Sequence, residues 1–372
     1  MTSKKLHVVL YTDAQGLGGA EISLGNLVET ISPNFKLTLI GNSQPVIAAI
    51  AAKRAGITQY ILPASNILSF KELLRTFYRL NPDVIHCNLC TPWACAAGLT
   101  AALVLPNSRV VRVDQLPLRT TDALQLWQTR FISLRVDAHV AVGEASARRM
   151  EDFYALGRNT VLSVPNGVPD LFQTPQTPLP SPVGELVVGS IGRLDAMKAH
   201  DILLRAIAQV NGVQAIILGE GDQRHALEAL ADDLGIRDRV DLPGWVEQPS
   251  TYLPKFDVVA MPSRSEGFPL AMVEAMLAAR PVVATRVGSM PEAIIDGETG
   301  LLIEKNDVMG LAKVLHYLRD HPHERIKLGI QARELALAQF TAQTMAARYE
   351  ALWQEIISRP RSPRFWVGRP KD

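Results

Sequence analysis

The feature that most constrains the fold of this chain is a regular alternation of short apolar runs with amphipathic segments. Apolar runs such as residues 6–11 and 186–191 predict buried strands, and patterns of helical period such as residues 70–80 separate most of them. Strands that are connected through helices run parallel, and both faces of the resulting sheet are covered. The sequence therefore predicts an α/β fold built on parallel sheets.

A proline-rich segment divides this alternation into two series. Six prolines stand from Pro165 to Pro182, and such a segment can neither continue a helix nor occupy a central strand. At 372 residues the chain is long enough for two domains with full cores. We therefore predict two doubly wound, Rossmann-like domains, residues 1–168 and 183–340, facing each other across a cleft with ligands at the carboxyl ends of the strands.

Two further segments follow the second domain. Residues 341–358 have a helical pattern, and this helix is a candidate to cross back to the first domain. The tail, residues 359–372, holds four arginines and one lysine around Phe365 and Trp366. This composition has two interpretations, a disordered terminus and a segment in peripheral contact with an anionic membrane.

The charge of the chain argues against a nucleic-acid partner. The totals are balanced, with 38 basic and 37 acidic residues. Residues 1–180 carry 16 basic and 12 acidic residues, whereas residues 181–340 carry 16 and 22. The first half is mildly basic, which could favour an anionic surface, but it is not basic enough to indicate nucleic acid.

The sequence pattern predicts neither a signal peptide nor a membrane-spanning segment. The first ten residues contain two lysines but no sustained apolar region before a cleavage site, so we predict no signal peptide. The longest uncharged, mostly apolar run is residues 94–105, which is shorter than the ~20 residues of a membrane-spanning helix. We predict a cytoplasmic protein, at the inner face of the membrane if the basic tail binds lipid.

A small cluster of cysteines has two interpretations. His86, Cys87, Cys90 and Cys95 have a spacing compatible with a zinc site or a redox pair. No second pair of ligands follows, and Trp93 with several alanines nearby indicates helix packing instead. We favour the structural interpretation and predict no metal site and no cofactor.

Residues 266–276 give the first indication of a ligand. They follow a predicted buried strand, residues 258–261, and open into a helix predicted to begin at Pro269. The unpaired N–H groups of a helix N-terminus favour an anion such as phosphate. Glu266 and Glu274 flank this position, and because carboxylates only accept hydrogen bonds they are better matched to ligand hydroxyls. The predicted ligand is phosphorylated and rich in hydroxyl groups.

Two glycine turns add candidate phosphate contacts. The run from Gly16 to Gly19 fails the dinucleotide fingerprint because Glu21 stands where the third glycine is required. Gly18 and Gly19 can still let a diphosphate approach the backbone, although a simple tight turn explains them equally well. In the second domain a similar turn carries Arg193 and Lys198, which together could neutralise a leaving diphosphate without a metal.

These motifs, taken together, resemble family 4 of the retaining, GT-B-fold glycosyltransferases. The first domain adds Gly18-Gly19-Ala20-Glu21 and Pro165-Asn166-Gly167-Val168, so the resemblance spans nearly the whole chain. The ordered series in the second domain is Gly192-Arg193-Leu194 with Lys198, Gly219-Glu220-Gly221-Asp222, Asp257, Pro262-Ser263, Glu266-Gly267-Phe268-Pro269, Glu274-Ala275-Met276, Pro281 to Thr285, Gly288, Pro291-Glu292 and Asp296 to Leu302.

The resemblance implies a role for each matching position. It implies that Arg193 and Lys198 hold the diphosphate of a UDP-sugar or GDP-sugar and that Glu274 receives the ribose hydroxyls. It implies that Glu266, with the backbone of Gly267 and Phe268, holds the donor sugar, and that Gly18 and Gly19 close on the phosphates. It further implies a metal-independent, retaining hexosyltransferase whose acceptor is a glycan or a lipid-linked sugar in polysaccharide or envelope biosynthesis.

The acceptor side departs from the family pattern. Many relatives carry a His after the strand predicted at residues 109–113, whereas this chain has Asp114 and Gln115. His86 is placed at the end of a different predicted strand, so Asp114 and His86 are both candidate catalytic residues. Asp114 in place of His keeps open a non-catalytic protein that binds nucleotide sugars, and the same architecture leaves open a GT-B sugar-nucleotide epimerase.

Overall fold

The computed structural model describes residues 5–62, 67–172 and 183–360, and for residues 67–69 the backbone only. The chain divides into two units. The first contains Met1–Gly167 and the chain from Ala342 onward, and the second is the continuous segment Val168–Thr341. Residues 173–182 of the proline-rich segment and residues 361–372 of the basic tail lie outside the described residues.

The first unit is built on seven parallel strands in the order β3-β2-β1-β4-β5-β6-β7. Its strands are β1 (Leu6–Thr12), β2 (Phe35–Gly41), β3 (Thr58–Ile61), β4 (Val84–Leu89), β5 (Arg109–Asp114), β6 (Ala138–Ala141) and β7 (Val161–Ser163). Its helices are α1 (Gly19–Thr30), α2 (Gln44–Ala51), α3 (Ile67–Leu80), α4 (Ala96–Val104), α5 (Ala123–Ser133) and α6 (Glu144–Phe153), with α13 (Ala342–Ser358) added from the far end of the chain.

Alternate side chains of the central strand β1 point to opposite faces of the sheet. Val8 and Leu10 belong to the core beneath α1, α2 and α13. Val9 and Tyr11 belong to the core beneath α3, α4 and α5. Both faces of the strand are therefore buried, as the continuous apolar run of the sequence predicts for a parallel sheet.

The helix α13 completes one of these two cores. Its Trp353 is fully buried, with its ring centroid 5.5 Å from that of Phe35 and 5.7 Å from that of His86. Near the helix N-terminus, the sulfur of Met345 accepts a hydrogen bond from the hydroxyl of Ser23 at 3.8 Å. These residues of α13 are thus part of the first unit although they follow the second unit in the chain.

The second unit is built on six parallel strands in the order β10-β9-β8-β11-β12-β13. Its strands are β8 (Leu186–Ile191), β9 (Val213–Leu218), β10 (Val240–Gly244), β11 (Val258–Met261), β12 (Val282–Thr285) and β13 (Gly300–Ile303). Its helices are α7 (His200–Ile207), α8 (Arg224–Asp233), α9 (Leu270–Leu277), α10 (Met290–Ala293), α11 (Val308–Asp320) and α12 (Pro322–Gln339).

The predicted fold class, with two Rossmann-like parallel sheets, is confirmed. Two local predictions are wrong. Pro269 has extended backbone angles (φ −71°, ψ 132°) and caps the helix, which begins at Leu270. The strand predicted to end at His86 continues to Leu89, so His86 lies in the middle of a strand and not at its end. Within the described residues, none of the helices combines the length and the apolarity needed to cross a bilayer.

Candidate functional site

The candidate site of the second unit lies where the order in which the chain adds strands to the sheet reverses. The chain proceeds from β8 to β9 on one side, whereas β11 pairs with the other side of β8. The loops that leave β8 and β11, residues 192–199 and 262–269, therefore emerge side by side at the carboxyl edge of the sheet. Doubly wound sheets bind ligands at such a switch point, because diverging loops leave a crevice there.

An ion pair joins these two loops. Nζ of Lys198 lies 2.6 Å from Oε1 of Glu266, and the hydroxyl of Ser263 donates to the same oxygen at 2.7 Å. Glu266 is buried, and Lys198 is partly exposed. The structure thus brings together two residues that the sequence predicts as ligand contacts from segments almost seventy positions apart.

Polar contacts hold the backbone of both loops. Oδ1 of Asp195 accepts the N–H groups of Met197 and Lys198, both at 3.0 Å, which closes a turn before α7. Arg264 binds the first loop twice, through its own N–H to the carbonyl of Met197 and through its guanidinium to the carbonyl of Ala196, both at 2.7 Å. Hydrogen bonds therefore fix the two loops that carry Lys198 and Glu266 to each other.

Two glycines allow the backbone to approach closely at this edge. Gly219 has φ +143°, and a Cβ there would lie 1.9 Å from the carbonyl oxygen of Gly192. Gly288 has φ +57°, and a Cβ there would lie 2.1 Å from the carbonyl oxygen of Glu266. The neighbouring Ser289 donates its N–H to the carbonyl of Gly267 at 2.9 Å. These positions require glycine because the space and the backbone conformation both exclude a side chain.

Glu274 lies on α9, just over one turn into the helix. Burial raises its pKa from the ordinary 4.5 to about 6. Within the described part of the chain, no group donates a hydrogen bond to its side-chain oxygens. Such a partly desolvated acceptor is available to hydroxyl groups of a ligand.

The other predicted donor contacts have contrasting environments. Arg193 is largely exposed and forms an ion pair with Oδ2 of Asp195 at 2.9 Å. Phe268 is buried, with its ring centroid 5.0 Å from that of Phe340, so only its backbone is offered to a ligand. Arg193 is thus free to reorient toward an anion, whereas Phe268 anchors the loop.

In the first unit, Gly18 and Gly19 lie at the beginning of α1. Gly18 donates its N–H to Oε2 of Glu21 at 3.0 Å, while Oε1 of Glu21 is buried without a hydrogen-bond partner among the described residues. Burial raises the pKa of Glu21. A Cβ at Gly19 would meet open space, so the backbone here is accessible from outside.

The two candidate catalytic residues are both buried. His86 lies between β-strand neighbours under α13, with its ring centroid 5.0 Å from that of Tyr349, and burial lowers its pKa to about 3. Its position in the middle of β4, not at the strand end, explains this burial. A neutral histidine enclosed by aromatic rings fits a packing role better than proton transfer.

Asp114 belongs to a buried charged group. Arg112 donates to its two oxygens at 2.7 and 2.9 Å, and the ring of His139 lies 2.6 Å from Oδ2. Burial alone would raise the pKa of Asp114, but the positive charge of Arg112 and the hydrogen bond from His139 lower it to about 2. Asp114 is therefore ionised, and its acceptors are occupied by side chains of the same sheet.

Sequence reasoning missed a chain of amide hydrogen bonds at the carboxyl edge of the first sheet. Asn88 donates to the carbonyl of Ala20 at 3.0 Å and accepts from Gln115 at 2.9 Å. Gln115 accepts from Asn166 at 3.0 Å, and Asn166 accepts from the hydroxyl of Ser23 at 2.7 Å. The signal that could have found it is the position of Asn88, Gln115 and Asn166 just at or after strand ends.

The predicted cysteine cluster has a structural explanation. Cys87 and Cys95 are buried, and Cys95 donates its N–H to Oδ2 of Asp13 at 2.6 Å. Among the described residues, no three His, Cys, Asp or Glu side chains are arranged so that they could hold a metal ion.

Two parallel, Rossmann-like sheets in one chain are the architecture of the GT-B class of proteins. Family comparison agrees with this class. A model described as Glycosyltransferase Family 4 matches residues 17–170, and one described as Glycosyl transferases group 1 matches residues 185–321. The chain belongs to this family of glycosyltransferases.

The chain is similar to several curated proteins of this family. It is 37% identical over 194 residues to a D-inositol 3-phosphate glycosyltransferase of Mycolicibacterium smegmatis, an alignment that covers 49% of this chain and 44% of the relative. It is 29% identical over 214 residues to a lipopolysaccharide core biosynthesis glycosyltransferase of Rhizobium meliloti, covering 58% of this chain and 62% of the relative. The matches thus span about half the length of these relatives.

Solved structures share the whole fold. Anabaena HepE in complex with UDP has a TM-score of 0.82 at 20% identity and covers 94% of this chain and 100% of that one. Sucrose-phosphate synthase from Thermosynechococcus elongatus has a TM-score of 0.78 at 19% identity, covering 95% and 99%. At these identities the likeness shows the fold alone.

Proposed function

We propose that this chain is a glycosyltransferase that moves a sugar from UDP or GDP to a glycan or lipid-linked acceptor in envelope or polysaccharide biosynthesis. The observation that carries the proposal is the contact of 2.6 Å between Lys198 and Glu266 at the switch point. It places a cation for phosphate and an acceptor for hydroxyl groups within one hydrogen bond of each other. A sugar diphosphate carries an anion next to hydroxyl groups, and these two side chains complement both.

Each residue of the site then has a chemical task. Lys198 and Arg193 neutralise the diphosphate, and because Arg193 is exposed it can turn from Asp195 toward the ligand without desolvation. Glu274 accepts the ribose hydroxyl groups. Glu266 and the backbone of Gly267 and Phe268 bind the sugar, and the buried ring of Phe268 fixes the loop that presents them.

The reaction we propose proceeds with retention and without a divalent metal. The bond between the anomeric carbon and the diphosphate oxygen breaks, and the acceptor oxygen bonds to that carbon on the same face. The acceptor proton passes to an oxygen of the departing nucleoside diphosphate. Lys198 and Arg193 stabilise the negative charge that develops on the diphosphate, so the protein contributes chiefly electrostatic stabilisation and positioning.

The first unit is proposed to supply the acceptor side without a side-chain base. Both candidates are buried, which supports an ion-pair role for Asp114 and a packing role for His86. The amide chain from Asn88 to Asn166 offers a rigid edge instead. Proton removal by the donor phosphate is consistent with this arrangement, because it requires no titrating residue there.

A donor screen tests the proposal. The melting temperature is measured with UDP-glucose, UDP-galactose, UDP-N-acetylglucosamine, GDP-mannose and the free nucleotides, because a ligand that binds the folded state raises it. Turnover is then followed with glycan and lipid-linked acceptors, with and without EDTA, and the anomeric configuration of the product is read by NMR. An inverted product, or activity lost with EDTA, would contradict the mechanism.

The same assays separate the two other functions. An epimerase would convert the bound sugar nucleotide in the absence of any acceptor. A binding protein would raise the melting temperature with one donor but transfer or hydrolyse none across the acceptor panel. Failure of every nucleotide sugar to stabilise the protein would remove the basis of the proposal itself.

A further inference from the structure

The outer surface of helices α3, α4 and α5, which we name the α3–α5 face, is unusually apolar for an exposed helical layer. The inner sides of these helices form one core with the first sheet. Six large apolar side chains on the outer side are each at least half exposed: Tyr78, Val104, Leu124, Trp127, Phe131 and Leu134. Exposed apolar groups gathered on one face mark an interaction surface, unlike single exposed residues.

Most of the exposed apolar side chains of this face belong to α5 and the residue that follows it. Leu124, Trp127, Phe131 and Leu134 follow one another at intervals of three and four residues, so they form one stripe along the helix. Thr129, Ile132 and Ser133 are buried on the opposite side. The helix is therefore apolar toward solvent and anchored to the unit by its other side.

Cationic side chains are exposed on the same layer of helices, two of them beside rings of this stripe. Lys71, Arg75 and Arg79 are exposed on α3, and the guanidinium groups of Arg130 and Arg135 lie 5.6 and 3.3 Å from the ring centroids of Trp127 and Phe131. None of these five cations forms an ion pair with a carboxylate in the described part of the chain. Glu72 is the one acidic residue in the three helices.

A groove at the ends of α3 and α4 continues the same chemistry. Its volume is about 420 Å³, and its walls combine apolar side chains with two guanidinium groups. The lining includes Leu74, Arg75, Tyr78, Arg79, Val104 and Pro106. An apolar groove with cations at its border is complementary to an acyl chain and a phosphate group, the two parts of a phospholipid.

We propose that the α3–α5 face binds the surface of an anionic phospholipid bilayer. Aromatic rings with adjacent cations suit the interface, because the rings enter the headgroup level while the cations bind lipid phosphate. These cations have no carboxylate partner among the described residues, so lipid phosphates complement their charge. This inference is independent of the proposed transfer reaction, since it concerns where the first unit binds and not which bond is formed.

Vesicle flotation of the full chain tests the inference. The vesicles contain either equal parts of phosphatidylglycerol and phosphatidylcholine or phosphatidylcholine alone. Wild-type protein is expected to float with the anionic vesicles, and less so at high salt, because surface charges are screened. Trp127→Ser/Phe131→Ser and Arg75→Glu/Arg79→Glu are each expected to weaken this binding roughly tenfold or more.

Matched controls identify the surface. Met309→Ser/Val183→Ser removes two exposed apolar side chains of the second unit and is expected to leave flotation unchanged. A chain that ends at Pro360 lacks residues 361–372 of the basic tail but keeps the carbonyl of Arg359, which accepts from Arg109. Melting temperature and nucleotide-sugar binding of each variant show that the fold and the donor site are intact.

Three results would overturn the inference. The first is that the wild type does not bind anionic vesicles, and the second is that both face variants bind them as well as the wild type does. The third is that only the shortened chain loses binding. A dimer that the same face substitutions abolish would assign the surface to a second copy of this chain. Because donor binding is measured separately, failure here is distinguishable from failure of the proposed function.

Discussion

Nζ of Lys198 lies 2.6 Å from Oε1 of Glu266, so one hydrogen-bonded ion pair connects the loops that follow β8 and β11. The pair is more than a surface salt bridge, because Glu266 is buried and also receives the hydroxyl of Ser263. Opposite charges held this closely can separate to receive a ligand that carries both an anion and hydroxyl groups. The first prediction depends on this relationship.

Lys198→Ala is expected to lower kcat/KM by roughly a hundredfold or more, the effect of removing one preorganised group that stabilises developing charge. Affinity for the nucleotide sugar should fall as well, because the diphosphate loses a point charge. Lys313→Ala, which removes an exposed lysine of α11, is the matched control and should leave both quantities unchanged. Wild-type donor affinity and turnover in Lys198→Ala would contradict the role of the pair.

Glu274→Gln is expected to remove a pH dependence of stability. The folded-state pKa of about 6 lies above the ordinary 4.5, so the stabilising contribution is complete below pH 4.5 and is lost as pH rises through 6. The stability of the wild type relative to the variant should therefore fall by about 2 kcal/mol over this interval. Melting temperatures of both proteins from acidic to neutral pH measure it.

Donor binding should depend on Glu274 in the opposite direction. The ionised carboxylate accepts ribose hydroxyl groups, so donor affinity of the wild type should rise as pH increases through 6. Glu274→Gln should bind more weakly and lack this step, whereas Glu334→Gln, at an exposed position of α12, should behave as the wild type. Identical pH profiles for the wild type and Glu274→Gln would show that this carboxylate is not a ligand contact.

Gly288→Ala is expected to destabilise the second unit more than Gly297→Ala. Both glycines have left-handed backbones, with φ +57° and +79°, so each substitution carries about 1–2 kcal/mol of strain. A Cβ at Gly297 meets open space, whereas one at Gly288 meets the carbonyl oxygen of Glu266. We expect a total loss of roughly 3 kcal/mol or more for Gly288→Ala, with weaker donor binding because the Glu266 loop must move. Equal melting temperatures for the two variants would show that the loop yields freely.

Asp114→Asn is expected to lower the free energy of unfolding by about 3–5 kcal/mol, because it leaves the buried Arg112 without its counter-charge. Asp152→Asn, which breaks an exposed pair with Arg158, should cost at most about 1 kcal/mol. Donor affinity of the folded Asp114→Asn protein should be near that of the wild type. An unchanged melting temperature together with lost turnover would instead assign Asp114 to catalysis.

The sequence was sufficient for the fold and for placing Lys198 and Glu266 at the carboxyl edge of one sheet. Uninterrupted apolar runs predict strands buried on both faces, and parallel strands end at the same edge of a sheet. Residues that follow two such strands must therefore lie near that edge. The order of the strands was not readable, and it is the pairing of β8 with β11 that turns nearness to the edge into an ion pair.

The environments of Asp114 and His86 were not predictable in the same way. Arg112 lies opposite His139 in the register of β5 and β6, and this pairing is what encloses Asp114. His86 is covered by Tyr349 and Trp353, which follow it by more than 250 positions. Both facts depend on contacts distant in sequence, so local patterns could propose a polar residue near a strand end but not whether it is reachable.

The path of the chain through the two units also sets an order of assembly. The chain enters the second unit at Val168 and leaves it at Thr341, and these residues pair, with the N–H of Val168 3.2 Å from the carbonyl oxygen of Phe340. During synthesis the whole second unit is made before α13, the helix of the first unit that covers Phe35 and His86. The chain must therefore be synthesised through α13 before this face of the first sheet is fully covered, and nascent chains halted before residue 342 should expose that apolar surface to chaperones.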